Sequence, residues 1–141
     1  MVDVLYTAEA TATGDGRNGE VHSSDGVIDE KLVMPKELGG AGGLFTNPEQ
    51  LFAAGYAACF HNALRRIARE AKVALPDTTV DAKVGIGPDG AGGFGLTVEL
   101  VAHLPGMDQA TADDLVAKAH DLCPYSRATK GNIDVTVTAT Q

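Results

Sequence analysis

Two cysteines are the residues of this 141-residue sequence best suited to do chemistry. Cys59 lies in an apolar segment, and Cys123 follows 64 positions later, directly before Pro124. A thiolate can attack the O–O bond of a peroxide and become a sulfenic acid, and a second thiol can condense with that sulfenic acid before it is oxidised further. One cysteine pair is therefore enough for a peroxide-reducing cycle.

Each cysteine also has a structural interpretation. A free cysteine on an apolar helix is commonly a small buried hydrophobe, and this describes Cys59 equally well. Cys123 ends a predicted helix, where a structural role is as plausible as chemistry. The sequence has no C-x-x-C motif, and two cysteines are too few for a secreted disulfide scaffold. Inert packing and redox chemistry both remain open.

A reactive thiol needs a fixed cation that lowers its pKa from about 8.5 and stabilises charge on the leaving oxygen. Arg17 is a candidate because the glycines of segment 14–19 allow a sharp turn that brings the guanidinium inward. Glu49 is a candidate partner because a carboxylate can hold the guanidinium fork through two hydrogen bonds. The alternatives are a solvated turn for Arg17 and a helix-dipole carboxylate for Glu49.

Histidines raise the question of a metal site. Cys59 and the histidine two positions later diverge on a helix, and Cys123 with the histidine three positions before it supplies only two ligands. The sequence therefore predicts no metal site. The histidines are His22, His61, His103 and His120.

Two helices must position these residues. Asn47 and Pro48 form a strong helix start, and the helix is predicted to run from Pro48 to Lys72. Its first half is apolar on nearly every face and must be buried all round. A second helix is predicted from Thr111 to Leu122, with Thr111 as its capping residue and Pro124 as its stop.

Strands account for most of the remaining chain. Alternating residues from Val4 to Ala10 and from Val27 to Met34 predict a three-stranded antiparallel meander, followed by a mobile glycine-rich loop at 35–43. Two runs, Thr79 to Ile86 and Phe94 to Leu104, predict a hairpin. A last strand is predicted from Ile133 to Thr138. The order β-β-β-α-β-β-α-β indicates one α+β domain, residues 1–141, with antiparallel strands around two main helices.

Helix geometry points to a dimer. One sheet covers a single side of the apolar first helix, so we expect a homodimer whose subunits bury each other's first helix. On one straight helix Glu49 and Cys59 are separated by roughly 15 Å along the axis and roughly 80° in rotation. They cannot meet on that helix. If both serve one site, Glu49, and Arg17 with it, come most simply from the other chain.

The charge balance excludes some partners. A formal net charge of −8 disfavours non-specific binding to nucleic acid or to an anionic membrane, because both attract basic surfaces. No basic segment followed by an apolar core begins the sequence, and no run of about 18 apolar residues occurs in it. We therefore expect a soluble cytoplasmic protein with no nucleic-acid or membrane partner.

The segment Thr46–Phe60, TNPEQLFAAGYAACF, closely resembles the organic hydroperoxide resistance (Ohr) branch of the OsmC/Ohr superfamily. Cys123-Pro124-Tyr125-Ser126, followed by Ala128-Thr129 and Gly131-Asn132, agrees. So do Gly16-Arg17-Asn18-Gly19, Ser24-Asp25-Gly26 and Pro35-Lys36-Glu37-Leu38-Gly39-Gly40. The motifs occur in order over essentially the whole chain. The resemblance implies an intertwined α+β homodimer that reduces alkyl, aryl and fatty-acid hydroperoxides to alcohols through cysteine chemistry.

The resemblance also implies the role of each residue. Cys59 becomes the peroxidatic cysteine and Cys123 the resolving cysteine, which closes a disulfide with Cys59 in the same subunit. Arg17 becomes the activating cation, and Glu49 the carboxylate that orients it. The disulfide would be reduced by a dithiol such as dihydrolipoamide or a lipoylated protein. No metal, haem or flavin is implied.

An apolar substrate pocket is expected from the first helix together with Leu44, Phe45 and Tyr125. Such a pocket favours bulky hydroperoxides over hydrogen peroxide, because burial of apolar surface contributes about 25 cal/mol per Å². Two alternatives stay open. One is a redox-sensing or ligand-binding domain whose cysteines oxidise without turnover, and the other is a purely structural dimeric module.

Overall fold

A computed structural model describes all 141 residues and shows a mixed α+β fold, as the sequence predicts. The chain forms two compact units, Met1–Leu51 and Phe52–Gln141. The single domain stays a prediction. The strands are β1 (Ala10–Thr13), β2 (Glu20–Ser23), β3 (Asp29–Lys31), β4 (Thr79–Pro88), β5 (Phe94–His103) and β6 (Asp134–Thr140), and the helices are α1 (Pro48–Glu70), α2 (Gln109–Leu122) and α3 (Pro124–Thr129).

The first unit contains the predicted antiparallel meander. β1 pairs with β2, Ala10 opposite Ser23, and β2 pairs with β3. The first strand begins only at Ala10, so the predicted strand residues from Val4 to Glu9 lie outside it. Because β2 ends at Ser23, the residues before Ala10 have no strand beside them to complete a ladder. Alternation predicts which face a residue takes but not where its partner strand ends.

The glycine-rich segment 35–43 contains regular local structure that the sequence does not predict. It contains a turn of 3₁₀-helix at Lys36–Leu38, which ends at Gly39 in the left-handed conformation with φ of 87°. A side chain at Gly40 would collide with the Met34 backbone. The segment is closed at its base, where the Val33 N–H donates to the Thr46 carbonyl at 3.1 Å. Its mobility stays a prediction.

The second unit contains the predicted hairpin of β4 and β5, closed by a turn in which the Asp89 N–H donates to the Gly93 carbonyl at 3.0 Å. β6 adds to β5 in parallel, with Thr97 opposite Asp134. The prediction of antiparallel strands is therefore corrected at this one pair. α2 and α3 lie between β5 and β6 in the chain and form the crossover that a parallel pair requires.

The core of the second unit lies between the helices and this sheet. Buried α1 side chains recur every three or four residues, and they are Tyr56, Phe60, Ala63, Leu64 and Ala68. Ala54 and Ala58, on another face of the helix, are exposed in the single chain. Burial of this half on all faces therefore requires the predicted partner subunit, which stays a prediction.

The helix ends follow simple capping chemistry. Asn47 Oδ1 accepts from the Gln50 N–H at 2.8 Å, which confirms the predicted start of α1. α1 ends at Glu70, before Lys72, whose φ of 58° is left-handed. The cap of α2 is Asp108 and not Thr111, whose own N–H and hydroxyl both donate to the Asp108 carboxylate. None of the helices combines the length and apolar character needed to cross a membrane.

Candidate active site

Arg17 and Glu49 form a bidentate ion pair within the first unit. Arg17 Nη1 donates to Glu49 Oε2 at 2.8 Å, and Nη2 donates to Oε1 at 2.7 Å. The Glu49 side chain is only 12% exposed. The structure thus brings the guanidinium fork against the candidate carboxylate, and the catalytic roles of both residues stay predictions.

Local structure explains how Arg17 comes to face Glu49. Arg17 lies in a 3₁₀ turn, Gly16–Asn18, which is entered through glycines with positive φ, and a side chain at Gly19 would collide with the Thr13 carbonyl. Asn18 ties this turn to the following segment, because its Oδ1 accepts from the Met34 N–H at 3.0 Å. Glu49 lies on the first turn of α1. The backbone that carries each side chain is therefore held in a defined local structure, a 3₁₀ turn for Arg17 and α1 for Glu49.

The pair is held in its ionised form. The hydrogen bonds from Arg17 lower the pKa of Glu49, and burial only partly opposes them. The hydrogen bonds to Glu49 raise the pKa of Arg17 in turn. At neutral pH the guanidinium therefore stays fully charged and in one orientation, as electrostatic stabilisation of an anion requires.

Cys59 and Cys123 meet within the second unit. Their sulfur atoms lie 3.5 Å apart, at hydrogen-bonding distance for sulfur, and both thiols are free. Cys123 is completely buried, whereas Cys59 on α1 is partly exposed. A disulfide has an S–S length of about 2.05 Å, so roughly 1.5 Å of approach would join the two sulfurs.

The surroundings of Cys59 act on its pKa in opposite directions. Burial raises the pKa of the Cys59 thiol, and the backbone N–H of Tyr125 lowers it by donating to the sulfur. The neighbouring Cys123 raises the pKa further, and the net direction is upward. Within this unit alone Cys59 is therefore not activated, and a reactive thiolate requires an additional positive charge.

Tyr125 packs closely against α1. Its ring centroid lies 6.4 Å from that of Phe52 and 5.7 Å from that of Tyr56. A methyl group added at Gly55 would come within 3.2 Å of the Tyr125 Oη. Gly55 therefore leaves the space that Tyr125 occupies, one helical turn before Cys59.

Tyr125 also lines an apolar cavity of about 450 Å³ in the second unit. Of the predicted pocket residues, Tyr125 belongs to this cavity, and the contribution of Leu44 and Phe45, which lie in the first unit, stays a prediction. Leu44 is fully exposed in the first unit, and Phe45, half exposed, lines a separate polar hollow and lies under the ammonium group of Lys31. The remaining wall of the apolar cavity is formed by Phe52, Leu96, Ala128, Thr129, Asn132 and Ile133.

Sequence reasoning missed most of this wall because it comes from the ends of three elements. Leu96 follows the β4–β5 turn, and Ile133 directly precedes β6. Phe52 lies in the helix motif that contains Cys59, and Ala128, Thr129 and Asn132 lie in the segment after Cys123 that also carries the family resemblance, although none of these three was predicted to line a pocket. Leu96 and Ile133 each directly precede the first β5–β6 pair, Thr97 opposite Asp134, and alternation does not reveal that parallel pairing.

The predicted site residues thus form two pairs. Arg17 with Glu49 belongs to the first unit, and Cys59 with Cys123 belongs to the second. Their assembly into one site stays a prediction. No cluster of three or more His, Cys, Asp or Glu side chains is arranged to hold a metal ion.

Comparisons with known proteins agree with the sequence motifs. The family described as OsmC-like protein matches residues 40–138. An organic hydroperoxide resistance protein of Xanthomonas axonopodis pv. citri is 60% identical over 136 residues, which are 96% of this chain and 94% of the relative. Organic hydroperoxide resistance protein OhrB of Bacillus subtilis is 48% identical over 134 residues, 93% of this chain and 95% of the relative.

Solved structures extend the agreement to the fold. The crystal structure of an organic hydroperoxide resistance protein from Elizabethkingia anophelis, with thiocyanate bound, matches with a TM-score of 0.94 at 53% identity. The match covers 99% of each chain. By sequence and by fold, this chain belongs to the organic hydroperoxide resistance branch of the OsmC-like protein family.

Proposed function

We propose that this chain is a thiol-dependent peroxidase that reduces organic hydroperoxides to alcohols. The observation that carries the proposal is the 3.5 Å separation of the Cys59 and Cys123 sulfurs, one partly exposed and the other completely buried. An accessible thiol beside a protected one is the arrangement that a two-cysteine peroxidase needs. Relatives named for organic hydroperoxide resistance support the substrate class.

In the first step the Cys59 thiolate attacks the terminal oxygen of ROOH. The O–O bond breaks, its electron pair leaves on the alkoxide, and the alkoxide takes up a proton and departs as ROH. Cys59 is oxidised to a sulfenic acid. Arg17, oriented by Glu49, is proposed to stabilise both the thiolate and the charge on the leaving oxygen. We propose that a homodimer brings this cation to the cysteine of the partner subunit.

In the second step the Cys123 sulfur attacks the Cys59 sulfenic sulfur. The S–S bond forms, the S–O bond breaks, and the hydroxyl group leaves as water with the Cys123 proton. Because Cys123 is fully buried, bulk oxidants do not reach it before it reacts. The proposed product is a disulfide within one subunit.

A dithiol closes the cycle. One thiolate of the dithiol attacks Cys59, the more accessible sulfur, and the Cys59–Cys123 bond breaks as Cys123 leaves and takes up a proton. The second thiol of the dithiol then attacks the dithiol sulfur of the mixed disulfide and releases Cys59. Overall, ROOH and a dithiol give ROH, water and a cyclic disulfide. We propose dihydrolipoamide or a lipoylated protein as the reductant, and no bound cofactor takes part.

The organic group of the substrate is proposed to occupy the apolar cavity beside Tyr125. The backbone of the same residue donates to Cys59, so the cavity and the reacting sulfur share one short segment of chain. A cumyl or fatty-acyl group gains burial there that hydrogen peroxide cannot gain.

The test compares Cys59→Ser with Cys123→Ser in turnover of cumene hydroperoxide, with dihydrolipoamide and with a monothiol. Cys59→Ser should abolish turnover with both. Cys123→Ser should turn over slowly with either reductant, because any thiol can reduce an exposed sulfenic acid directly, and it should lose activity progressively as Cys59 is oxidised to the sulfinic acid. Full activity of Cys59→Ser would refute the assignment, and a wild type that oxidises without turning over would indicate a redox sensor.

A further inference from the structure

A buried chain of polar side chains connects the residues around Cys123 to α1. The Tyr56 hydroxyl, fully buried, lies 2.9 Å from Ser126 Oγ and 3.2 Å from Thr129 Oγ1. Ser126 Oγ lies 2.8 Å from His120 Nδ1. The Thr129 hydroxyl donates to the Ser126 carbonyl at 3.1 Å. The proposed reaction assigns no chemical step to these four side chains, although Thr129 also belongs to the wall of the apolar cavity.

The contacts fix where the hydrogens lie. Since the Thr129 hydrogen is used on the Ser126 carbonyl, the Tyr56 hydroxyl must donate to Thr129. The Ser126 hydroxyl must then donate to Tyr56, which leaves His120 Nδ1–H as the donor to Ser126. With this direction every contact is a hydrogen bond, and the imidazole carries its proton on Nδ1. Burial lowers the pKa of His120, so the neutral Nδ1–H form meets this requirement near neutral pH.

The chain of hydrogen bonds holds α3, which spans only Pro124–Thr129 and is too short to be stable in isolation. His120 lies three positions before Cys123 and Ser126 lies three positions after it. Tyr56 belongs to α1, three positions before Cys59. The network therefore links the residues on both sides of Cys123 by hydrogen bonds to α1, the helix that carries Cys59.

We propose that the His120–Ser126–Tyr56–Thr129 network is the positioning element of the resolving cysteine and sets how fast Cys123 captures the Cys59 sulfenic acid. This inference rests on the proposed peroxidase function. The sulfenic acid has two fates. It condenses with Cys123 to give the disulfide and water, or it reacts with a second ROOH to give a sulfinic acid and ROH. A looser network favours the second fate.

The experiment measures the ratio of sulfinic acid to disulfide, by intact mass, after the reduced protein reacts with a small excess of cumene hydroperoxide. The ratio does not depend on how fast the sulfenic acid formed. Tyr56→Phe and Ser126→Ala should each raise it by about tenfold, because each leaves buried hydrogen-bonding groups without partners. Tyr6→Phe and Ser24→Ala, which remove the same hydroxyl groups at exposed positions, should leave it unchanged.

Substitutions of His120, the half-buried end of the network, distinguish a positioning role from a merely structural one. His120→Asn keeps an N–H donor and should retain most of the wild-type ratio, whereas His120→Leu should raise it as Ser126→Ala does. If Tyr56→Phe or Ser126→Ala fails to fold, the two His120 variants still supply the test. Ratios within twofold of wild type for Tyr56→Phe, Ser126→Ala and His120→Leu would overturn the proposal, as would an Nε2–H tautomer of His120 by ¹⁵N NMR.

The two proposals fail differently. If the wild type forms neither disulfide nor sulfinic acid, the peroxidase function itself is wrong. If the wild type forms the disulfide and the network variants form it equally well, only the positioning role is wrong.

Discussion

Arg17 and Glu49 face each other through two parallel hydrogen bonds of 2.8 and 2.7 Å. Glu49→Gln replaces one acceptor oxygen with an amide that repels the guanidinium. Because charge-assisted pairs of this kind contribute about 1.5–3 kcal/mol, we expect kcat/KM for cumene hydroperoxide to fall roughly ten- to hundredfold. Glu70→Gln is the matched control, since its ion pair with Arg66 is exposed and contributes little. Equal activities of the two variants would argue against a role for Glu49.

Mixed dimers test whether the two pairs combine across subunits. A subunit with Cys59→Ser has lost its thiol, and a subunit with Arg17→Ala has lost its cation. If Arg17 acts on the partner's cysteine, co-refolding the two inactive variants should restore about a quarter of the wild-type activity, because half of the dimers are mixed and each has one complete site. Mixtures that stay inactive would show that Arg17 acts within its own chain.

The same pair predicts a pH dependence of stability. The pKa of Glu49 is lowered by folding, so the unfolded state binds more protons between the folded pKa and the unfolded value of about 4.3. Its contribution is complete above that value and is lost as the pH falls through the folded pKa. The melting temperature of wild type should exceed that of Glu49→Gln at pH 5–7, and the difference should shrink below about pH 4.3. A difference that grows on acidification would contradict this sign.

Gly55→Ala should separate stability from activity. Alanine is favoured over glycine within a helix by about 1 kcal/mol, which stabilises α1. The added methyl group would come within 3.2 Å of the Tyr125 Oη and 3.3 Å of its Cε2, so the ring must move. Because this ring packs against α1 one helical turn before Cys59 and lines the apolar cavity, turnover should fall while the melting temperature stays level or rises. Unchanged turnover would show that the Tyr125 position is not limiting.

The apolar cavity predicts a change in substrate preference. Ile133→Gln places a polar side chain in the cavity wall and should lower the activity ratio of cumene hydroperoxide to hydrogen peroxide by about tenfold, the equivalent of some 50 Å² of lost apolar contact. Because both activities are proportional to the amount of folded protein, their ratio does not change if part of the variant is unfolded. Ile28→Gln, at an exposed position, is the control. A proportional loss with both peroxides would place the organic group elsewhere.

Local chemistry allowed several elements to be predicted. Asn47 and Pro48 define the start of α1 because their side chains suit a cap and a first turn. The β4–β5 hairpin follows from alternation on both sides of a glycine-rich turn. The Arg17–Glu49 contact follows from the fit between a guanidinium and a carboxylate, although the two residues are 32 positions apart.

Other elements could not be predicted because they depend on contacts distant in sequence. Pro124 correctly ends α2, yet proline also suits the first turn of a new helix, and tertiary hydrogen bonds to Tyr56 stabilise α3 there. Asp108 and Thr111 are both good caps, and only the loop before them decides between them. The direction of β6 depends on its neighbour, since alternation is the same in parallel and antiparallel strands.

Cys59 and Cys123 are 64 positions apart, and the segment between them includes the whole β4–β5 hairpin and α2. A disulfide there would tie the unfolded chain into a large loop, which by loop-entropy theory stabilises the folded state by about 4 kcal/mol. Oxidised and reduced molecules would therefore melt at clearly different temperatures. The melting temperature of the protein would then show which fraction of the molecules a peroxide has oxidised to the disulfide.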